Sequence, residues 1–204
     1  MFLKAAGEKL PRQFYLRDTR EVARDLLGKE LVRISPDGVA SGIIVETEAY
    51  LGIDDRACHA FGGRTSRRTA IMYEEGGRAY IYLIYGMYWC LNVTTRESGV
   101  PEAVLIRALE PHTGIDLMRQ RRQPAGKRTA DLAGGPGKLC RALAIDGSLY
   151  GEDLGGNTLF VREGAPVPPE NIAVSPRVNI AYAGEAAQHE WRYFIKGNPS
   201  VSRP

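Results

Sequence analysis

The sequence predicts an α+β fold in one compact domain, residues 1–204. It should hold a mostly antiparallel, curved β-sheet with a protruding β-hairpin and a few surrounding helices. Three observations carry this expectation. Strand-like segments outnumber helical ones. The strands follow one another through short turns, with no regular βαβ alternation. At 204 residues the chain is long enough to bury one substantial core, but short for two.

DTREVARDLLG, residues 18–28, reads as a complete short helix. Asp18 can cap it, Glu21 stands three residues on as the capping-box partner, and Gly28 ends it. Val22, Ala23, Leu26 and Leu27 give it one apolar face. KELVRISPDGVASGIIVETEAY follows as two strands joined across Pro36-Asp37-Gly38. GRAYIYLIYGMYWCLNV, residues 78–94, has the branched and aromatic content of a hairpin turning near Tyr85-Gly86-Met87. A strand at 102–111 comes next, then helices in GIDLMRQRR and PGKLCRALAI, separated by a polar stretch at 123–134 expected to be mobile. Gly135-Pro136-Gly137 leave free amides at the second helix's start, which favours anions in front of it. Late strands are expected near 158–162, 177–182 and 191–196.

Composition excludes some classes and permits others. No apolar run approaches the roughly 18 residues of a membrane span. Glu8 and Lys9 stand where a signal peptide needs apolar residues, so a cytoplasmic location is expected. Cys58, Cys90 and Cys140 are odd in number and widely spaced, which suggests free buried thiols. The net charge of +3 is mildly basic, from six lysines and 21 arginines against 24 acids. Guanidinium forks suit phosphate, and the same ratio also follows from coding bias. Nucleic-acid binding is permitted without being demanded.

Chemistry concentrates in ETEAYLGIDDRACH, residues 46–59. On a strand, Glu46, Glu48 and Tyr50 share one face. They can form a solvated acidic edge. If the face is partly dry, two adjacent carboxylates instead drive one pKa upward and create a general base. Asp54, Asp55 and His59 could extend the group into a metal site, but one histidine among carboxylates is a weak ligand pattern. The aromatic hairpin is the second anomaly. Packing accounts for Tyr80 and Tyr82, but not for Tyr85 and Tyr88 flanking a glycine at a turn. Exposed tyrosines near arginines suit base stacking.

Taken together, VETEAYLG, DRACH, YIYLIYGMYWCLNV, VLIRALEP and GPGKLCRALAI closely resemble the alkyladenine (3-methyladenine) DNA glycosylase family, in order and spacing, from about residue 14 to 200. The chain starts almost directly at this domain, without the long N-terminal extension of animal members. It therefore looks like a bacterial member, nucleoid-associated through DNA binding.

The resemblance implies a base-excision repair enzyme. Such an enzyme flips alkylated or deaminated purines out of duplex DNA and hydrolyses the N-glycosidic bond, leaving an abasic site. Glu48 matches the general base that activates water, Arg107 helps hold that water, and the carbonyl of Val178 is a further ligand to it. Tyr50, His59 and Tyr82 match the walls that sandwich the flipped base, with the His59 amide reading its edge. Asn92 matches the residue that collides with the amine of guanine. Tyr85 matches the wedge that fills the duplex, and Met87, Tyr88 and Lys138 match nearby DNA contacts. Glu46 becomes a support or surface residue, Asp54 and Asp55 loop caps, and His112 and His189 structural.

No lysine is placed as a Schiff-base nucleophile, so water attacks and the strand is not cut. No metal or cofactor is expected. The partner is double-stranded DNA carrying damaged purines, bound by a monomer that requires no membrane or other protein. The alternative reading is a non-catalytic damaged-DNA-binding module.

Overall fold

The computed structural model describes residues 7–123 and 128–203. A short helix α1, Arg12–Tyr15, precedes α2, Thr19–Asp25. The Asp18 carboxylate accepts from the amides of Arg20 and Glu21 and so caps α2 as the sequence suggests. Gly28 then turns the chain at φ 81°, where an added Cβ would lie 2.3 Å from the Ala165 carbonyl oxygen. Here glycine is required by both conformation and space.

The strands are β1 Glu30–Ser35, β2 Gly38–Tyr50, β3 Ala79–Ile84, β4 Tyr88–Thr95, β5 Glu102–Thr113, β6 Leu159–Arg162, β7 Ile172–Ser175 and β8 Arg192–Ile195. They form one antiparallel sheet in the order β3-β4-β5-β2-β1-β6, with β8 pairing both β2 and β7. The fold is α+β, as the sequence predicts.

The 13-residue β2 organises the sheet. Its first half pairs with β1, its Glu46–Glu48 stretch pairs with β8, and β5 runs along its other edge. Two partners on one edge require the sheet to bend between them. Register shifts mark the bend: Ile44 pairs with Leu109, Glu46 with Ala108 and Thr47 with Ile106, so Val45 and Arg107 are both skipped. Bulges of this kind re-aim side chains.

The core lies between the sheet and helices α2, α3 (Ile115–Arg121) and α4 (Pro136–Leu143), with Leu26, Leu31, Ile44, Leu91, Ile106, Leu109, Met118 and Leu139 buried. Cys58, Cys90 and Cys140 are buried free thiols. Among the described residues no helix is long and apolar enough to cross a membrane.

The expected strand at 177–182 is absent. The strand lies earlier, at Ile172–Ser175, and Pro176 ends it because proline cannot donate to a ladder. Beyond it Asn179 adopts φ 61° and Ala181–Gln188 form 3-10 turns. The alternation of Val178, Ile180 and Tyr182 imitates a strand without being one. Within the polar 123–134 stretch, residues 124–127 lie outside the described residues, and Thr129–Leu132 form a 3-10 turn.

Candidate active site

One row of paired residues crosses five strands: Tyr80 on β3, Asn92 on β4, Leu105 on β5, Glu48 on β2 and Arg192 on β8. Cross-strand partners point to the same face of a sheet. This face floors a cavity of about 900 Å³, which Tyr80, Asn92 and Leu105 line together with Tyr50, His59, Tyr82, Arg107 and Val178. All four expected base-pocket residues therefore meet around one space.

Glu46 and Glu48 are both fully buried, so the reading of 46–50 as a solvated acidic edge does not hold. Each carboxylate is charge-compensated and hydrogen-bonded, as burial demands. Glu48 accepts from the Val178 amide at 2.7 Å and the Tyr50 hydroxyl at 2.8 Å, and Arg107 Nη1 lies 3.2 Å away. Glu46 accepts from Arg107 Nε at 2.8 Å, Arg192 Nε at 2.7 Å and the Ser202 amide at 2.7 Å. Burial works to raise the Glu46 pKa, but Arg107, Ser202 and Arg192 outweigh it and hold the carboxyl below its ordinary value. Glu46 is thus a support residue and not a surface one. The skipped position on β5 lets Arg107 reach both acids.

The aromatic wall is built from edges as well as faces. His59 meets Tyr82 edge-on, with ring centroids 4.7 Å apart and an 84° interplanar angle, and His59 Nδ1 lies 2.7 Å from the Tyr80 hydroxyl. Burial, with Arg68 second, lowers the His59 pKa to about 4, so the imidazole is neutral at physiological pH. Asn92 is buried and donates to the Tyr80 carbonyl at 3.2 Å, which fixes its amide on the cavity floor.

At the mouth, Tyr85, Met87 and Tyr88 of the β3–β4 turn are 75%, 65% and 52% exposed. Tyr85 at φ 54° and Gly86 at φ 67° give the type I′ geometry that matches strand twist. The hairpin rests on the start of α4: a Cβ at Gly137 would lie 3.1 Å from the Tyr88 ring. Gly135, Pro136, Gly137 and Lys138 accordingly line the cavity.

The sequence reading misses Arg177. Fully buried, it bridges both Asp55 oxygens (2.8 Å from Nη2 to Oδ1), the Ala49 carbonyl and the Ala186 carbonyl. Its guanidinium stacks over the rings of Tyr50, at 4.7 Å, and Trp191, at 4.8 Å. Asp55 caps its loop through the amides of Leu51 and Ala57, as expected, and is also one half of this buried pair. Asp54 is exposed. A lone arginine in the otherwise uncharged SPRVNI was the available signal. His112 contacts Glu30, and His189 stacks on Trp191, both outside the cavity. Among the described residues, no group of three or more His, Cys, Asp or Glu side chains is placed to hold a metal ion.

Residues 13–199 match the model of the methylpurine-DNA glycosylase family. The chain is 49% identical over 195 residues to an inferred 3-methyladenine DNA glycosylase of Methanocella arvoryzae, covering 95% of this chain and 96% of that one. It is 47% identical over 201 residues to inferred enzymes of the same name from Desulfitobacterium hafniense and Bacillus licheniformis. Those alignments cover 96% and 98% of this chain, and 98% and 100% of the relatives. With the family's model matching most of the chain, and relatives of that name near half identical along almost its whole length, the chain belongs to the methylpurine-DNA glycosylase family.

Proposed function

We propose that this protein excises alkylated and deaminated purines from duplex DNA by hydrolysing the bond between base and deoxyribose. The observation that carries the reading is Glu48, a buried carboxylate in the same strand row as Asn92 and Leu105, which floor an aromatic cavity that opens beside the exposed Tyr85 hairpin. The cavity residues Tyr50 and Val178 hold it. A base inside a duplex cannot reach such a floor. It must rotate out of the stack, and Tyr85 fills the gap it leaves.

In the cavity the base lies against Tyr50, His59 and Tyr82. An alkylated purine is cationic and stacks on electron-rich rings, a contact of about 0.5–2 kcal/mol. The neutral state of His59 adds no positive charge of its own to this wall. The His59 amide reads the base edge, and Asn92 disfavours normal guanine through its amine. As the glycosidic bond breaks, positive charge develops on the sugar and Glu48 stabilises it. Water then adds to C1′ and gives its proton to Glu48. Arg107 and the Val178 carbonyl hold that water, while the Val178 amide and Tyr50 hydroxyl keep Glu48 in place.

Hydrolysis by water leaves the strand intact. Lys138 lines the same cavity, at its α4 rim, so this part of the reading needs its own test. Borohydride should trap no covalent complex with DNA. The main test is duplex DNA carrying one methylated purine or hypoxanthine, incubated with the protein and then treated with alkali. Cleavage at the lesion is expected. Lesion binding with no alkali-labile site for any such base would instead identify a non-catalytic damaged-DNA-binding module.

A further inference from the structure

Of the four cations of the cavity, only Arg107 forms an ion pair among the described residues. The four are Arg68, Arg107, Arg122 and Lys138. Arg107 is neutralised by the two glutamates, Arg122 donates to the Leu132 carbonyl, and Lys138 stands at the start of α4 beside the hairpin. Arg68 is placed differently. Its guanidinium lies over the ring of Tyr82, 5.7 Å from the centroid, and it forms no ion pair among the described residues.

The loop carrying Arg68 is anchored. The Tyr150 hydroxyl meets the carbonyls of Arg67 and Arg68 at 3.1 Å each, and the buried Thr69 hydroxyl ties back to Ser66 and Arg64. Arg68 is itself exposed, and with its backbone held it places an unpaired positive charge against Tyr82 of the base wall. Its field is already felt there, as the second cause of the low proton affinity of His59 after burial.

Building on the glycosylase reading, we propose that Arg68 is a specificity-determining residue that favours neutral keto purines such as hypoxanthine over cationic alkylated purines. When a neutral purine departs, the C1′–N9 electron pair goes to the base, which leaves as an anion. The water oxygen bonds to C1′ and its proton passes to Glu48. A guanidinium at the base wall stabilises that developing negative charge and can donate to a keto oxygen. With a 7-methylated purine the base enters as a cation and leaves neutral. The same guanidinium then repels the base on entry and has no anion to stabilise on departure.

The test compares Arg68→Gln and Arg68→Lys with the wild type on otherwise identical duplexes carrying hypoxanthine or 7-methylguanine. Single-turnover rates are measured at subsaturating protein. For a unit charge about 6 Å from the base in a partly solvated site, Arg68→Gln should lower the hypoxanthine-to-7-methylguanine rate ratio about 3- to 10-fold. Arg68→Lys should largely restore it. An NMR titration should show the His59 pKa rising in Arg68→Gln. An unchanged ratio, or an equal fall on both substrates as a phosphate contact would give, overturns the assignment. Failure of the wild type to release either base sinks the glycosylase reading instead.

Discussion

Glu46→Gln separates the roles of two carboxylates that stand one residue apart. The substitution is nearly isosteric but removes a negative charge held by Arg107 Nε at 2.8 Å, Arg192 Nε at 2.7 Å and the Ser202 amide at 2.7 Å, at a site with no exposure. Glu46, Glu48, Arg107 and Arg192 sum to zero charge, and the variant leaves one buried cation without a partner. Breaking such a buried pair costs about 3–5 kcal/mol. That is a large share of the roughly 5–15 kcal/mol of a typical domain. For a chain of this size each kcal/mol moves the melting point by about 2–4 °C, so a fall of about 6–20 °C is expected. Thermal melts followed by circular dichroism, with urea titration at 25 °C, measure it. Below its melting point the variant should still excise bases, since Glu48 keeps Val178 and Tyr50. A melting point within about 2 °C of wild type, or complete loss of excision in a folded variant, would refute the division of labour.

Glu48→Gln should do the opposite, abolishing base release in single-turnover assays while retaining lesion binding by gel shift; substantial turnover would reassign the base. Tyr85→Asn should weaken capture of lesions in duplex DNA and leave the melting point unchanged or slightly higher, because asparagine tolerates the φ of 54° better than tyrosine. Binding should fall about 10-fold or more between 50 and 200 mM salt if three or more phosphates are neutralised, and a flat response would contradict a DNA-backbone interface. The Glu46 pKa is held below its ordinary 4.5, so the unfolded chain binds its proton first on acidification. That stability contribution is complete above pH 4.5 and is lost as pH falls through the lower folded value. Denaturation curves should therefore show a shallower acid slope in Glu46→Gln than in wild type.

What could be read from the sequence follows the range of the interactions. The α2 cap, the turn at Pro36–Gly38 and the Tyr85–Gly86 hairpin are local, and each forms where its residues predict. The β7 and β8 region depends on distant pairing and is only half legible. Arg192 reaches Glu46 across 146 residues, Ser202 across 156, and Arg177 reaches Asp55 across 122. Spacing alone places Glu46 and Glu48 on one face but cannot show that arginines cover it. That is why a solvated edge was the plain expectation and a buried network the outcome. The resemblance supplied roles for Glu48, Arg107 and Tyr85, yet said nothing of Arg68 or Arg177, whose significance lies in what they touch.

Tyr85 gives the physical reason to trust a functional reading of the hairpin over a packing one. A tyrosine in the left-handed region costs roughly 1–2 kcal/mol relative to glycine, and this side chain recovers little by burial because it is 75% exposed. The adjacent Gly86 shows that the turn accepts the cheaper residue one position on. An exposed aromatic kept in a strained conformation, on a hairpin braced against Gly137 of α4, offers no gain to the isolated fold. On the proposed function the gain comes from DNA at the cavity mouth, where a stack of bases with one member removed presents an apolar gap into which such a ring can insert.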